Sequence, residues 1–485
     1  MIQQKFLKDL FWLQLLNWLI KPFWILILEN TVQNRLGESV YGAYFIVFNF
    51  SLLFTMLMDL GMNSFITREL AAGRAAGSLW KSGFSVKLLL SLAYMLITML
   101  VAWSQQLPLV LLGIVAINQL LLQWILMFRA FLQGSGANRA DAWFSVLDRV
   151  VAIFLCLLLL QGSWFSGAEG LTWFALSQTG GYLLALLLIA VKVRRSVLKP
   201  VSTAVELQQP PLHMISVLRS SLGYALLALL MVGFTRIDAL MLQMLREDGA
   251  LQAGIYARGF RLLDAGLIFP ILMSTLLLPG FTAHATQRDE LTALAKTGTV
   301  VMLLVAIPAA SIGFAYADEL MRLLNPRGSE ARSQAASVLG WLMLAYVPMS
   351  LVYVFGTLLT ALKQLRVLNI IAMSALGSNI LLNLLLIPDF GALGTAWSAG
   401  ITQAVFCLSC IWFSRKQLQS NSTFPVLNIL MFTGLAAACT YAAAWLSWPW
   451  YVQVAVGLGI WVSGIASGRV HPDLHLRHIL SGRTG

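Results

Sequence analysis

About fourteen runs of roughly twenty apolar residues, separated by short polar breaks, constrain this chain more than any other feature. They fall near residues 10–29, 41–64, 83–104, 108–129, 144–163, 170–191, 220–244, 254–280, 297–317, 335–361, 367–387, 392–413, 425–446 and 449–467. A helix needs about 20 residues to cross ~30 Å of hydrocarbon, and within that layer every backbone N–H and C=O must be satisfied by the protein itself. The runs are apolar on all sides, as across 88–100, and do not alternate as the strands of a membrane barrel do. The expected fold is all-α, a polytopic integral membrane protein with about 14 transmembrane helices. Composition agrees: 59% hydrophobic and only 11% charged residues, with mean hydropathy +0.80, lie outside the range of soluble domains. The first run carries Lys21-Pro22 in its middle and no small-residue cleavage site, so it is expected to stay as a helix.

Orientation follows from the basic residues. With the N-terminus cytoplasmic, about two-thirds of the 32 Lys and Arg residues fall on the inner side, and only Arg35, Arg246, Arg322, Arg327 and Arg332 on the outer. Both termini are then cytoplasmic. The net charge of +12 is accounted for by this topology, and no nucleic-acid partner is implied. Cys156, Cys407, Cys410 and Cys439 all lie inside apolar runs, which argues against a disulfide framework or a metal knuckle.

The chain repeats itself. Leu36-Gly37-Glu38-Ser39-Val40-Tyr41-Gly42-Ala43-Tyr44, leading into the second run, is matched about 212 residues later by Asp248-Gly249-Ala250-Leu251-Gln252-Ala253-Gly254-Ile255-Tyr256, leading into the eighth. Gly167-Ala168-Glu169-Gly170-Leu171-Thr172-Trp173, before the sixth, is matched by Gly391-Ala392-Leu393-Gly394-Thr395-Ala396-Trp397, before the twelfth. Six helices per repeat is an even number, so the halves run parallel, an arrangement that puts a transported molecule between them near the midplane. The expected organisation is an N-terminal lobe at 1–195, a cytoplasmic linker at 196–218, a C-terminal lobe at 219–416, and two appended helices with a tail at 417–485. Charges stranded deep in the apolar runs are Lys21, Arg236, Asp238, Arg258, Arg261 and Asp264. Such residues persist in spans beside partners or a watery cavity, and cations outnumber acids among them, which points to an anionic cargo.

Several segments together resemble a known family. Arg35-Leu36-Gly37 through Tyr41-Gly42-Ala43-Tyr44 to Met58-Asp59-Leu60-Gly61 and Arg68 is similar to its N-terminal part. Arg236-Ile237-Asp238, Gly254-Ile255-Tyr256-Ala257, Pro270 and Leu278-Pro279 resemble its middle segment. Asn379 and Asn383, followed by Ile387-Pro388-Asp389-Phe390-Gly391, resemble its eleventh and twelfth helices. The family is that of the lipid-linked oligosaccharide flippases, the Wzx-type O-antigen translocases, within the multidrug/oligosaccharidyl-lipid/polysaccharide (MOP) exporter superfamily. The resemblance implies a MATE-like pair of lobes in the bacterial inner membrane. It also implies translocation of an undecaprenyl-pyrophosphate-linked oligosaccharide from the cytoplasmic to the outer leaflet by alternating access. A polysaccharide polymerase and other assembly proteins are the expected neighbours. A MATE-like exporter and a lipid II-type flippase are the alternatives on the same fold.

Gln14, Asn17 and Lys21 share one face of the first helix, where Lys21 either meets a phosphate or pairs with an acid on a neighbouring helix. Arg258, Arg261 and Asp264 share a face of the eighth, and a guanidinium fork suits phosphate. Arg258 lies only about a turn inside the helix end and is expected to snorkel to the interface, Arg261 is deeper and is expected to face the substrate, and Asp264 either neutralises Arg261 or serves as an ion site. Arg236 and Asp238 sit two apart, point to different faces, and each needs a partner elsewhere. Asp59 is a structural cap near the end of the second run, a salt-bridge partner of Arg68, or a coupling acid, and Lys87, Asp148 and Arg149 lie near enough to the inner surface to snorkel. Asn379 and Asn383 suit sugar hydroxyls or hydrogen bonds between helices. No Walker A pattern is present, so ATP hydrolysis by this chain is not expected, and no cofactor is implied beyond a coupling H+ or Na+. The outer loops are short and the five histidines, His213, His284, His471, His475 and His478, are all cytoplasmic in this reading. That disfavours a membrane polysaccharide polymerase or ligase, and no catalytic or metal residue is assigned.

Overall fold

The structure, a computed structural model, describes residues 17, 19–71, 74–162, 164–197, 214–326, 330–418 and 449–466. Gln14, most of the linker and the thirteenth apolar run lie outside the described residues. Among the described residues the regular structure is helical throughout, with no strand. Pro22 leads into a short π-helix, α1 (Phe23–Leu28), continued by α2 (Glu29–Leu36). There follow α3 (Glu38–Phe54), α4 (Met62–Ala71), α5 (Ala76–Ser104), α6 (Leu109–Gly134), α7 (Asn138–Phe144), α8 (Leu147–Leu159) and α9 (Gly167–Ser196). Beyond the linker come α10 (Met214–Leu245), α11 (Gly249–Ala283), α12 (Arg288–Ala315), α13 (Ala317–Leu324), α14 (Glu330–Ala361), α15 (Leu365–Arg415) and α16 (Trp450–Ala466). Ten of the described helices are long and apolar enough to cross a membrane. The 51 residues of α15 comprise two such spans, joined at Gly391, whose φ of 55° and ψ of −128° are not helical.

The chain divides into two compact units, residues 1–257 with 380–392, and residues 258–379 with 393–485. This division cuts across the lobes defined by the repeat, because α10 and the head of α11 group with the first unit. In that unit α6 packs on α4 and α9, around Phe65, Ile66, Met127, Phe131 and Ile189. In the second, α12 packs on α14, and the appended α16 is fixed by Trp461, whose Nε1 donates to the Leu304 carbonyl at 2.9 Å.

The repeat read from the sequence reappears as geometry. Gly167 and Gly391, the first glycines of the two G-A-x-G-x-x-W segments, have φ values of 53° and 55°. In each half an arginine from the turn before the second or eighth run reaches the carbonyls just ahead of that glycine. Arg35 donates from Nε to Phe165 O at 3.1 Å, from Nη2 to Gly162 O at 2.9 Å, and from Nη1 to Leu160 O. Arg246 donates from Nη1 to Pro388 O at 2.8 Å and from Nε to Asp248 Oδ1 at 2.6 Å. That hydrogen bond holds the Asp248 carboxyl below the usual carboxylate range, so its small contribution to stability is present above the ordinary carboxylate pKa and fades as pH falls through the depressed value. The Asp248 carboxylate is partly exposed, and solvent screens the pair.

α3 does not run on unbroken to Gly61. It tightens into a 3₁₀ turn, Thr55–Met58, and Leu60 (φ 43°) and Gly61 (φ 83°) turn the chain into α4. Asp59 Oδ1, three residues ahead of α4, accepts from the Asn63 N–H at 3.1 Å and so satisfies one of the free donors of the helix's first turn. Lys87 does not snorkel. It is fully buried on α5, and its Nζ donates to the Met58 carbonyl at 2.9 Å, supplying a partner for backbone exposed by the break.

A side chain at φ near +55° is strained by about 1–2 kcal/mol. Gly167→Ala meets nothing within 4 Å, so it is expected to destabilise by that amount alone. Gly391→Ala also drives its methyl to 2.5 Å from Gln252 Oε1, the acceptor of the Ala392 N–H, and is expected to destabilise more. Thermal unfolding of the two variants in detergent checks the ranking, and equal losses would contradict it.

Candidate functional site

In the first unit the polar residues of α1 and α2 converge with those of α3, α8 and α9. Glu29 accepts from Trp24 Nε1 at 2.6 Å and from the Tyr41 hydroxyl at 3.0 Å. Trp24 stacks on Phe174, with ring centroids 5.9 Å apart, and the Tyr44 hydroxyl accepts from Gln178 Nε2 at 2.9 Å. Arg149 sits over two rings, 4.9 Å from the Trp24 centroid and 5.7 Å from that of Tyr182, with Asp148 Oδ2 3.7 Å from its Nε. Arg129 meets Asp141 at 2.6 Å, and Gln133 Nε2 donates to the same carboxylate at 3.0 Å. Lys21, one turn before Trp24, is exposed and within electrostatic reach of Arg149, Arg129 and Asp148. Asn17 is buried, and its Nδ2 donates to Ser145 Oγ at 3.0 Å, a bond from the first helix to the α7–α8 turn.

The second cluster of that unit gathers around Asp238 on α10, which is buried at 3% exposure. Its Oδ2 accepts from the Tyr256 hydroxyl at 3.0 Å and its Oδ1 from Asn383 Nδ2 at 2.8 Å. A carboxylate in an apolar span thereby ties three helices together, a use of buried polar groups that hydrocarbon favours. Arg236, two residues away, is half-buried. Asn379, which groups with the second unit, is wholly buried.

In the second unit, on α11, Arg258 and Arg261 are 1% and 3% exposed, and Asp264 is half-buried. A position near the helix end predicts that Arg258 snorkels, yet it is among the most completely buried large side chains of the protein.

The structure therefore separates the residues singled out from the sequence. Asn17 and Lys21 lie with the Arg149 cluster, Asp238 has two donors from its own fold, Asp59 accepts from the first turn of α4, and the α11 arginines are interior. The sequence reading missed Glu29, Arg129 and the seating of Arg149 on Trp24 and Tyr182. The legible hint was an aromatic one turn after Lys21, on the same face.

These features define a polytopic helical membrane protein, and its fold is shared by solved structures of MOP superfamily transporters. It resembles the inward-facing conformation of a multidrug resistance MATE family transporter (TM-score 0.67, 14% identity, 83% of this chain and 96% of the other). It likewise resembles the lipid II flippase MurJ in an inward closed conformation (TM-score 0.65, 15% identity, 97% of this chain and 99% of the other). A third structure is that of a MOP superfamily transporter from Pyrococcus furiosus, described as having a binding pocket of reverse polarity (TM-score 0.63, 14% identity, 84% and 95%). A family model described as "Polysaccharide biosynthesis protein" matches residues 6–284, and one for MatE matches residues 224–385. The chain belongs to the polysaccharide biosynthesis protein family. No curated protein matches it.

Removing the Asp238 carboxylate strands a buried hydroxyl and a buried amide, at about 1–3 kcal/mol each. Asp238→Ala is expected to lower the unfolding temperature in detergent more than Tyr256→Phe, which removes one hydrogen bond and leaves no donor behind. If Asp238→Ala unfolds at the wild-type temperature, the carboxylate does not hold these helices.

Proposed function

We propose that the protein is a flippase that moves a polyprenyl-pyrophosphate-linked oligosaccharide from the cytoplasmic to the outer leaflet of the bacterial inner membrane by alternating access. Its termini are cytoplasmic in this reading. The observation that carries it is the burial of Arg258 and Arg261 on one face of an apolar helix, in a member of a polysaccharide biosynthesis family. Two guanidiniums in a dry interior offer paired, charge-assisted hydrogen bonds to pyrophosphate oxygens in place of water. Arg236 and the exposed Lys21 extend the same chemistry in the first unit. The polyprenyl tail stays in lipid while the head group crosses, and the process makes and breaks no covalent bond. An inside-negative potential favours outward movement of an anion by ~2.3 kcal/mol per charge per 100 mV. A coupling H+ or Na+ would add to that drive, with Asp264 the acid placed beside the arginines.

The match of residues 224–385 to the MatE model favours export of a small molecule as the second reading. Both are tested in proteoliposomes loaded with a labelled undecaprenyl-pyrophosphate oligosaccharide, at matched protein density. Wild type is expected to translocate the lipid, faster with an inside-negative potential. Arg261→Gln and Arg258→Gln are each expected to slow it about tenfold or more, since loss of ~1.4 kcal/mol of anion stabilisation is a factor of ten. A wild type that moves no such lipid under any gradient, yet exports a small soluble compound, would replace this reading with the second.

A further inference from the structure

The two repeat-related G-x-x-x-x-G segments meet each other. Gly42 on α3 lies against Ala250 and Gly254 on α11, and Gly254 lies against Glu38. A methyl group built on Gly42 would overlap the Ala250 carbonyl oxygen and stand 2.7 Å from the Gly254 nitrogen. One built on Gly254 would overlap the Glu38 carbonyl, 2.7 Å from its carbon. In the register of the repeat Gly42 corresponds to Gly254 and Glu38 to Ala250, so exchanging the halves maps this contact onto itself. It is a self-complementary contact around a local two-fold axis, made by the first turns of two helices.

Both glycines are buried, and their φ values are ordinary, so glycine is needed here only for closeness. Backbones that touch without side chains adhere through dispersion and weak Cα–H···O contacts, as small-residue helix crossings in membranes do. Such a seam has no interlocked side chains to disengage when it parts. The Gln33 amide spans it, donating to the Gly254 carbonyl at 2.9 Å and to the Glu38 carboxylate. Next to it the rings of Phe45 and Tyr256 lie with centroids 6.4 Å apart, inclined at 57°.

We propose that this seam is the closed gate at the outer end of the translocation pathway, and that α3 and α11 part at Gly42 and Gly254 when the pathway opens outward. The proposal rests on the transport reading given above. A pathway running along the axis of a two-fold repeat is obstructed wherever the repeat-related helices touch on that axis. The Gly42–Gly254 contact does so with no gap wide enough for a methyl group.

The test uses full-length protein with Cys156, Cys407, Cys410 and Cys439 replaced by serine. In one arm, Glu38→Cys and Ala250→Cys are joined by a short, reducible bifunctional thiol reagent. Linked protein is expected to transport below a tenth of the unlinked rate and to recover on reduction. Transport at the unlinked rate would overturn the gate. In the second arm, Phe45→Cys reports access from outside to a membrane-impermeant thiol reagent. Adding Gly42→Val is expected to raise the labelling rate several-fold, whereas Gly377→Val, at a glycine with open space around it, leaves it unchanged. Equal labelling in all three backgrounds overturns the gate. If wild type moves no lipid-linked oligosaccharide, the flippase reading falls, and the labelling arm decides the seam by itself.

Discussion

Backbone hydrogen bonding in a medium without water governs this protein. Wherever a helix breaks, the freed carbonyls must find donors from the protein, and the structure shows side chains stationed for that purpose. Lys87 serves the Met58 carbonyl inside a buried stretch, while at helix ends, where some of the contacts are open to solvent, Arg35 serves those of Leu160, Gly162 and Phe165, and Arg246 that of Pro388. Gln252 works in the opposite sense, its Oε1 accepting from the Ala392 N–H. Three of the 32 basic residues thus have a structural use, fastening points at which helices stop or bend.

That division of labour explains which parts of the molecule are legible in the sequence. The helices are legible because apolar runs of spanning length allow no other outcome, and the repeat is legible because its glycines are fixed by backbone geometry. Gly167 and Gly391 share a φ that side chains resist, and Gly42 and Gly254 share a contact that side chains would block. The roles of single charges are less legible. Depth along a helix puts Lys87 and Arg258 near a membrane surface, and both are buried. Depth is written in the sequence; the direction a helix face points is not. For Lys87 the partner is a main-chain carbonyl, which no residue letter records.

Acids and amides show the same limit. Asp59 suits a cap, an ion pair or a coupling group by residue type, and its carboxylate accepts from the Asn63 N–H in the first turn of α4. Asn383 suits a sugar ligand or a helix-to-helix bond, and it donates to Asp238. In both cases the sequence supplies the right chemical group and leaves its acceptor or donor open. That partner comes from a segment distant in the chain for Asn383, and from a turn whose break no periodicity announces for Asp59.

The anionic cargo proposed above fits the way three interior acids are used. Asp238 accepts from Tyr256 and Asn383, Glu29 from Trp24 and Tyr41, and Asp141 from Arg129 and Gln133. A carboxylate with both oxygens already accepting from its own fold is a poor receptor for a cationic drug, because the drug must displace donors whose loss is costly in hydrocarbon. Arginine on an apolar helix face is under a different constraint. Its five N–H groups exceed what one neighbour can accept, so it can hold a structural partner and still present a fork to a phosphate. Arg258 and Arg261, three residues apart and buried on α11, are the pair to which the proposed flippase reading assigns that role. An anionic head group suits that arrangement better than a cation does, and on this ground the lipid-linked oligosaccharide is favoured over the drug.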